Sequence, residues 1–287
     1  MVLLNGIETS QTSAHDRGLL YGQSVFETIA INQGKLCLLD LHLKRLSLGC
    51  EALSIPFELA QLNNDLALLK DHIERIELIG KEAKPERFSK AVLRITLTMG
   101  EGGRGYLNPE TPKANRILSL HDYPNHPEAN WTEGIKLGLS TIKLASQPLL
   151  AGIKHGNRLE QVLARQQWHA SWQEALLCDY NGNIIEATQS NAFLVKDGVL
   201  KTPDLSHAGV AGIMREFILL QAKKLGVSVQ IVPLSVADFL HADEVFISNS
   251  VIGIWPVKQF QHSEFTQFTV TNVLLKSIIN NDVIPNF

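Results

Sequence analysis

One lysine stands in a setting that could give it chemistry. The segment AGIKHGNRLEQ begins at Ala151 and places Lys154 between an apolar Gly-Ile pair and a turn that leads into a helix. An amine in an apolar, partly dry site has a lowered pKa, and its neutral form is both a nucleophile and a base. Most lysines are instead solvated at the surface. Lys154 is therefore a candidate for imine formation with a carbonyl group.

A carboxylate stands inside an apolar strand pattern. Glu186 lies in IIEATQSN, among apolar and β-branched residues. If its side chain points inward, the buried charge needs a cation, such as a protonated pyridine nitrogen. If it points outward, it is an ordinary glutamate on the solvent face of a half-buried strand. Both alternatives stay open at this point.

Three segments could bind an anion. The run GVAGIMRE, from Gly209 to Glu216, brings small residues directly into a helix. Free amides at a helix N-terminus, favoured by the helix dipole, bind phosphate, although water can occupy them as well. The hydroxyls of SNS at Ser248 to Ser250 are a weaker candidate. Arg45, in HLKRL, is another, although an arginine on a helix is usually a surface residue.

The glycine-rich run GEGGRG, from Gly100 to Gly105, matches the GxGxxG pattern of dinucleotide sites and follows a strand pattern. Such a site needs a helix to start there. Pro109 and Pro112 follow instead and oppose a helix. We expect a flexible loop that presents Arg104, which could clamp a carboxylate with two hydrogen bonds. A hairpin tip with a solvated arginine is the alternative.

These groups match the three binding points of one cofactor. Pyridoxal 5′-phosphate (PLP) carries an aldehyde, a ring nitrogen and a phosphate, and it withdraws electrons from a substrate imine. A lysine amine, a strand carboxylate and a phosphate-binding helix N-terminus would serve these points. The residues therefore indicate PLP as the cofactor.

The elements that must position these residues follow from hydrophobic periodicity and turn residues. SVFETIAIN, AVLRITLTMG, NRILSLHDY and IKLGLSTIKLA have strand patterns. LDLHLKRLSLGCEAL and NDLALLKDHIERIELIG have helix patterns, and the second helix is predicted to end at Gly80. Asn181-Gly182 and Asp197-Gly198 each separate two apolar runs, which predicts hairpins. We therefore expect largely antiparallel sheets rather than a doubly wound parallel fold.

Two helix starts are predicted from capping residues. Asn157, followed by Glu160, predicts a capping box for the helix after Lys154. Ser235 and Asp238 predict the start of a second, short helix. Both predictions rest on residue types three positions apart.

Composition narrows the class of protein. The chain has 287 residues, with 45% apolar and 19% charged residues and a formal net charge of -3, which is typical of a soluble globular protein. This balance favours neither a nucleic-acid nor a membrane partner. The cysteines, Cys37, Cys50 and Cys178, form no CxxC pair, which argues against a metal site or a redox motif and for a reducing cytoplasm. We also expect no signal peptide and no membrane span.

The segment YPNHPEANWTEG is rich in Pro, Asn and acidic residues and is typical of a connection between domains. We expect a first domain over residues 1–123, a linker over 124–134 and a C-terminal domain over 135–287.

Seven segments spread over nearly the whole chain resemble the class IV, or fold type IV, PLP-dependent enzymes: DRGLLYGQSVFETI, HLKRL, GGRGY, KHGNRLEQVLAR, EATQSNAFLV, GIMR and NSVIGIWPV. The lysine segment and both phosphate segments are similar to those of the lyase branch of this family. Many transaminase relatives have threonine where Met214 stands, a change that keeps the backbone amide and loses a hydroxyl contact.

The resemblance implies a role for each matching residue. Lys154 would carry PLP covalently and act as the catalytic base, and Glu186 would pair with the pyridine nitrogen. Arg104 and Arg158 would face the substrate, and no metal is implied. The PLP phosphate would be held by Arg45, the backbone amides of Ile213 and Met214, Asn249 and Ser250.

The resemblance also implies a fold and an activity. The fold class is α/β (α+β), with a smaller N-terminal α/β domain, a larger C-terminal pseudo-barrel domain that binds PLP, and a homodimer. The activity of the lyase branch is the conversion of 4-amino-4-deoxychorismate to 4-aminobenzoate and pyruvate in folate synthesis. The alternatives are a D-amino-acid or branched-chain transaminase, and a non-catalytic nucleotide-binding protein that uses the GxGxxG run.

Overall fold

The computed structural model describes residues 1–79 and 90–285. The predicted helix end at Gly80 lies outside these residues. The chain forms two compact units, each described below by itself. The first contains Met1–Pro124 and the short segment Ile153–Asn157, and the second contains Asn125–Gly152 and the chain from Arg158 onward. The sequence does not predict that a segment from the middle of the chain belongs with the first unit. The domain and linker boundaries themselves stay a prediction.

The first unit is built on a six-stranded sheet of order β2-β1-β6-β5-β3-β4, and its strand pairs are antiparallel. The strands are β1 Val2–Leu4, β2 Ile7–Glu8, β3 Ser24–Asn32, β4 Lys35–Leu36, β5 Lys90–Thr98 and β6 Asn115–Asp122. The helices are α1 Arg17–Tyr21, α2 Leu39–Ala52 and α3 Leu59–Ile79.

Strand β3 is the central positioning element of this unit. It pairs with β5 in continuous register, from Ser24↔Thr98 to Asn32↔Lys90. Its alternate residues Val25, Ile29 and Ile31 enter the core together with Leu46 and Cys50 of α2. Because strand residues alternate between faces, Glu27 lies on this same face, opposite α2.

The second unit contains a ten-stranded sheet of order β12-β11-β10-β14-β15-β7-β8-β9-β13, with β16 paired to β15. The strands are β7 Ile135–Leu144, β8 Glu174–Asp179, β9 Asn183–Ala187, β10 Asn191–Lys196, β11 Val199–Pro203, β12 Val229–Val232, β13 Leu234–Ser235, β14 Glu244–Asn249, β15 Gly253–Phe260 and β16 Ser263–Glu264. The helices are α4 Ala129–Thr132, α5 Leu159–Gln166, α6 Ile213–Lys224, α7 Val236–Leu240 and α8 Thr269–Asn280.

This sheet is mostly antiparallel, as predicted, and it curls on itself. Parallel pairing occurs between β11 and β12, β15 and β7, and β7 and β8. Strand β9 also packs beside β10 and β11 without forming ladder hydrogen bonds to them. The curling therefore gives a nearly closed, barrel-like sheet. The stacked rings of Phe193 and Phe246, with centroids 4.7 Å apart, lie in its core.

Both predicted hairpins are confirmed. Asn181-Gly182 joins β8 to β9, and Asp197-Gly198 joins β10 to β11. At the second turn, Asp197 has a φ of 52° and Gly198 a φ of 74°. These positive angles match a two-residue turn whose twist suits the flanking strands. Among the described residues, no helix is long and apolar enough to cross a membrane.

The predicted start of the short helix is confirmed, and the predicted capping box is wrong. Ser235 and Asp238 open α7, where they form a reciprocal capping box. At α5, however, the N-cap is Arg158 rather than Asn157. The carboxylate of Glu160 accepts the backbone N–H of Ala145 at 2.8 Å, so it does not reach back to cap its own helix. A tertiary contact has replaced the local one.

Candidate functional site

Lys154 lies at the edge of the sheet of the first unit. The Phe26 N–H donates to the Lys154 carbonyl at 2.9 Å, and the Gly156 N–H donates to the Ser24 carbonyl at 2.8 Å. The segment therefore forms an antiparallel bridge with the first half of β3. The Lys154 Nζ lies 4.6 Å from the centroid of the Phe26 ring, a cation–π distance. The amine is thus held on a rigid strand edge rather than on a free loop.

Arg45 is not a free surface residue. Its Nε donates to Glu27 Oε1 at 2.8 Å and its Nη2 donates to Glu27 Oε2 at 2.5 Å. The Glu27 side chain is 1% exposed and that of Arg45 is 10% exposed. A bidentate pair of this kind fixes the plane of the guanidinium. The structure therefore presents Arg45 as a pre-positioned cation, as an anion-binding role requires.

His42 completes this buried cluster. Its Nδ1 lies 2.6 Å from Glu27 Oε2, while its Nε2 is buried and has no hydrogen-bond partner among the described residues. Burial holds the pKa of His42 below its ordinary value, against the hydrogen bond and the charge of Glu27. Burial by itself would raise the pKa of Glu27. The Arg45 charge and the hydrogen bonds from His42 and Arg45 outweigh burial, so the pKa lies below its ordinary value. Glu27 is thus a carboxylate and His42 a neutral ring at neutral pH.

Sequence reasoning missed Glu27 and His42. The signal for Glu27 was present, because it is a carboxylate inside the apolar strand SVFETIAIN, the argument that singled out Glu186. Nothing comparable marks His42, which is one of 10 histidines in the chain. Only its contact with Glu27 distinguishes it.

Arg104 lies exposed in the predicted glycine-rich loop. The buried guanidinium of Arg17 holds this loop by donating from Nη1 to the Gly105 carbonyl at 2.9 Å and from Nη2 to the Tyr106 carbonyl at 3.2 Å. Residues 100–114, all described, contain no helix. The dinucleotide-site alternative therefore fails, because no helix N-terminus is available there for a pyrophosphate.

Glu186 belongs to the second unit and points inward. It lies on β9 and is 4% exposed. Its Oε2 accepts the backbone N–H of Val210 at 2.8 Å. The inward alternative is thus correct. A carboxylate buried this deeply favours a cationic partner, and a protonated ring nitrogen is one.

The N-terminus of α6 fits a phosphate. The N-cap, Gly212, has no side chain and so makes no side-chain capping hydrogen bond to the first amides of the helix. The two predicted amides belong to Ile213 and Met214, whose residues are 2% and 1% exposed. The helix therefore directs uncapped amides from a buried turn, which suits an anion.

The SNS segment begins in the last two residues of β14 and ends at Ser250, just after the strand. The Oδ1 of Asn249 accepts the N–H groups of Val251 and Ile252, and its Nδ2 donates to Ser190. The Asn249 side chain thus holds its own turn. The Oγ of Ser248 is buried without a partner among the described residues, and Ser250 is half-buried.

The predicted site residues therefore fall into two groups. Lys154, Arg45 and Arg104 belong to the first unit. Glu186, Ile213, Met214, Asn249, Ser250 and Arg158 belong to the second unit. Within the second unit, Val210 connects Glu186 to the turn before α6, so the structure brings the carboxylate and the predicted phosphate turn together.

Comparison with known proteins points to one family. The family model for amino-transferase class IV matches residues 24–260. A crystal structure of 4-amino-4-deoxychorismate lyase from Pseudomonas aeruginosa superposes with a TM-score of 0.90 at 38% identity, covering 98% of this chain and 99% of that one. The aminodeoxychorismate lyase of Vibrio harveyi is 34% identical over 90% of each chain.

A putative branched-chain-amino-acid aminotransferase of Methanocaldococcus jannaschii is 33% identical over 86% of this chain and 82% of its own. The family model spans most of the chain, and the similarity to the Pseudomonas structure extends over both units. The predicted α/β fold of type IV is confirmed by that superposition. The chain belongs to the class IV aminotransferase family.

Proposed function

We propose that this protein is a PLP-dependent lyase that converts 4-amino-4-deoxychorismate to 4-aminobenzoate and pyruvate. The observation that carries the proposal is the similarity to the Pseudomonas lyase, at 38% identity and a TM-score of 0.90 over 98% of the chain. The buried Glu186 and the uncapped start of α6 support it, since they match the needs of a ring nitrogen and a phosphate.

The residues that would hold PLP are those that the family resemblance indicates. Lys154 would bind it covalently, and Glu186 would keep the pyridine nitrogen protonated. The phosphate would be held by Arg45, the amides of Ile213 and Met214, and Ser250. Asn249 would act mainly through its backbone, because its side chain is engaged in its own turn.

The residues then perform proton chemistry on the substrate. When bound, PLP supplies an electron-withdrawing ring conjugated to the substrate amine. The substrate amine would take the place of Lys154 on the cofactor, and the freed Lys154 amine would then remove the proton from the ring carbon that bears the substrate amine. Glu186 stabilises the positive charge of the pyridine nitrogen while electrons are withdrawn. The bond between the ring carbon and the enolpyruvyl oxygen breaks, and the ring becomes aromatic. Lys154 or a nearby group protonates the departing enolpyruvate.

Arg104 and Arg158 are proposed to face the substrate. The substrate carries carboxylates, and a guanidinium binds a carboxylate with two parallel hydrogen bonds. The exposed position of Arg104 on a loop held by Arg17 suits a group that meets an incoming ligand.

The test is a product assay. Protein loaded with PLP is supplied with 4-amino-4-deoxychorismate, and 4-aminobenzoate and pyruvate are measured together. Equimolar release over many turnovers is expected. If PLP binds and neither product forms, the lyase proposal is wrong although family membership stands.

Lys154→Ala is expected to abolish turnover while the protein remains folded, because it removes both the covalent attachment and the base. Lys136→Ala is the matched control, since Lys136 is exposed on β7 and should leave turnover unchanged. Borohydride reduction followed by peptide mapping should place PLP on the Lys154 peptide. Retained turnover in a clean Lys154→Ala preparation would contradict the assignment.

A transaminase is the second candidate, favoured by the similarity to the Methanocaldococcus aminotransferase. It would use the same lysine but leave the amino group of an amino acid on the cofactor and release a keto acid. A panel of D- and branched-chain amino acids with keto-acid detection separates the two activities.

We also propose a homodimer in the cytoplasm. Large apolar side chains stand in solvent on each unit, including Tyr106 at 88% and Leu107 at 87% exposure on the first and Leu149 at 82% on the second. Such surfaces are typical of association sites. The three cysteines form no disulfide bond, which suits a reducing compartment.

A further inference from the structure

The turn before α6, residues 209–212, is held by hydrogen bonds to both polar backbone groups of Val210. We call this turn the strap. The Val210 N–H donates to Glu186 Oε2 at 2.8 Å, and the Val210 carbonyl accepts from Asn191 Nδ2 at 2.8 Å. Both hydrogen bonds are buried. The two polar backbone groups of one residue thus connect a carboxylate on β9 with an amide side chain on β10.

Asn191 contacts the strap at a second point. A Cβ built on Gly212 would lie 1.8 Å from Asn191 Oδ1, so the side chain packs directly against the Gly212 backbone. Gly212 is the N-cap of α6. Asn191 is 6% exposed and is the first residue of β10, opposite Ser248. It therefore fixes both the middle and the end of the strap from a rigid strand.

The other side of the strap is equally constrained. Gly209 has a φ of +84°, and a Cβ there would lie 2.7 Å from Ile185 Cγ2. The Gly152 N–H donates to the Gly209 carbonyl at 2.9 Å, and the Ala211 N–H donates to the Gly152 carbonyl at 3.0 Å. The chain leaves this unit at Gly152, two residues before Lys154. The strap thus has little freedom to shift without moving its neighbours.

We infer that Asn191 is a positioning residue that locks the Glu186 carboxylate and the N-terminus of α6 into one rigid arrangement, so that the grip on the cofactor's ring nitrogen and the grip on its phosphate depend on each other. The inference rests on the proposed PLP function. Asn191 touches neither the cofactor nor the substrate in this scheme. It acts through the Val210 carbonyl and the Gly212 backbone.

The alternative is that Asn191 only stabilises the fold. Binding measurements on the apoprotein distinguish a positioning role from a purely stabilising one. Affinities are measured for PLP, for pyridoxal, which lacks the phosphate, and for inorganic phosphate as a competitor. Asn191→Ala is expected to lower the affinity for PLP about tenfold or more, the scale of one buried hydrogen bond. The affinities for pyridoxal and for inorganic phosphate should each fall as well, because both halves of the site loosen together.

Asn191→Asp is the matched variant at the same position. It keeps the size of the side chain and the packing on Gly212, but an ionised carboxylate cannot donate to the Val210 carbonyl. A protonated carboxyl can donate, so PLP affinity should recover as the pH is lowered. Two charged residues contact the strap, Glu186 on β9 and Arg215 on α6, and Ser248, which lies opposite Asn191 on β14, does not titrate in this range.

Thr271→Val is the control for a loss of stability alone. It removes a fully buried hydroxyl that donates to Glu244 at 2.7 Å, in the same unit but at the start of α8. It is expected to lower the thermal midpoint without changing the affinity for PLP. If Asn191→Ala behaves like Thr271→Val, with a lower midpoint and unchanged affinities, the inference is overturned.

A double-mutant cycle tests the dependence directly. If Asn191 acts through Val210 on Glu186, Asn191→Ala should lower the affinity for pyridoxal much less in a Glu186→Ala background than in the wild type. Additive effects would contradict the coupling. Wild-type protein that binds no PLP would overturn the proposed function, whereas unchanged variants beside a PLP-binding wild type overturn this inference alone.

Hydrogen exchange keeps the inference testable if the variants fail to fold. In wild-type apoprotein the hydrogen-bonded amides of Val210 and Ala211 should already exchange slowly, and PLP should slow them little further. A strap that exchanges freely until PLP binds would mean that the cofactor, not Asn191, fixes it, and would refute the inference.

Discussion

At the scale of single residues, the site depends on buried charges that each have a defined partner. Glu186 accepts a backbone N–H, and Glu27 is held by Arg45 and His42. A buried carboxylate without such partners would be costly, so each contact is part of keeping the charge inside. The same reasoning applied to sequence identified Glu186 but missed Glu27, although Glu27 also stands inside an apolar strand pattern, SVFETIAIN.

Replacing Glu27 tests the anchoring of Arg45. Glu27→Gln removes the buried negative charge and leaves Arg45 without its ionic partner, so we expect a loss of about 3 kcal/mol in unfolding free energy. PLP affinity should fall as well, because the guanidinium is no longer fixed. Urea denaturation and PLP titration measure the two effects. Asp243→Asn, which breaks the exposed pair with Lys196, is the control and should cost far less. Equal losses would contradict the argument.

His42 should make the protein sensitive to mild acid. Burial holds its pKa below the ordinary value of 6.5. Near and below that value the unfolded chain binds more protons than the folded chain, so the unfolding free energy falls as the pH is lowered. Denaturation between about pH 7 and pH 5 should show this slope, and His42→Asn should flatten it. His169→Asn, at an exposed position, should leave the slope unchanged. An unaltered slope in His42→Asn would assign the acid sensitivity elsewhere.

At the scale of elements, helix starts and strand edges decide where the functional groups point. The N-terminus of α6 is available because its N-cap is a glycine packed against Asn191. Lys154 is held because its segment bridges the edge of β3. The start of α7 could be predicted because it depends only on Ser235 and Asp238, three residues apart.

The packing of Gly212 can be tested with one methyl group. In Gly212→Ala the new Cβ would meet Asn191 Oδ1 at 1.8 Å, so the strap or the side chain must move. We expect a stability loss of about 1–3 kcal/mol and weaker PLP binding. Gly103→Ala is the control, because a Cβ at Gly103 meets open space. Thermal melts and PLP titration measure the outcome. Normal PLP affinity in Gly212→Ala would mean that the start of α6 does not depend on this close contact.

At the scale of the whole molecule, the two compact units do not follow the order of the chain. The segment Ile153–Asn157 belongs with the first unit, although both of its flanks belong with the second. This segment carries Lys154. The family resemblance covers nearly all of the chain, so both units are expected to be needed for activity.

The proposed homodimer predicts a solution mass of twice 31.8 kDa. Light scattering coupled to size exclusion measures it. Leu107→Glu places a charge on the most exposed apolar loop of the first unit, where Leu107 is 87% exposed, and should shift the protein toward monomer. Leu225→Glu, at a 47% exposed position after α6, should not. A monomeric wild type at micromolar concentration would refute the dimer.

The sequence by itself determined the local elements and the chemical types of the site. The turns at Asn181-Gly182 and Asp197-Gly198 and the helix start at Ser235 depend on residues within four positions of one another, so a local pattern can predict them. The Asn157–Glu160 pattern is equally local but failed, because Glu160 accepts the distant backbone N–H of Ala145 instead. Tertiary structure alone decided which distant groups meet. Glu27 meets Arg45, Asn191 meets Val210 and Glu160 meets Ala145 across 18, 19 and 15 positions. Such contacts depend on strand register and on the packing of helices against sheets, and a local residue pattern specifies neither.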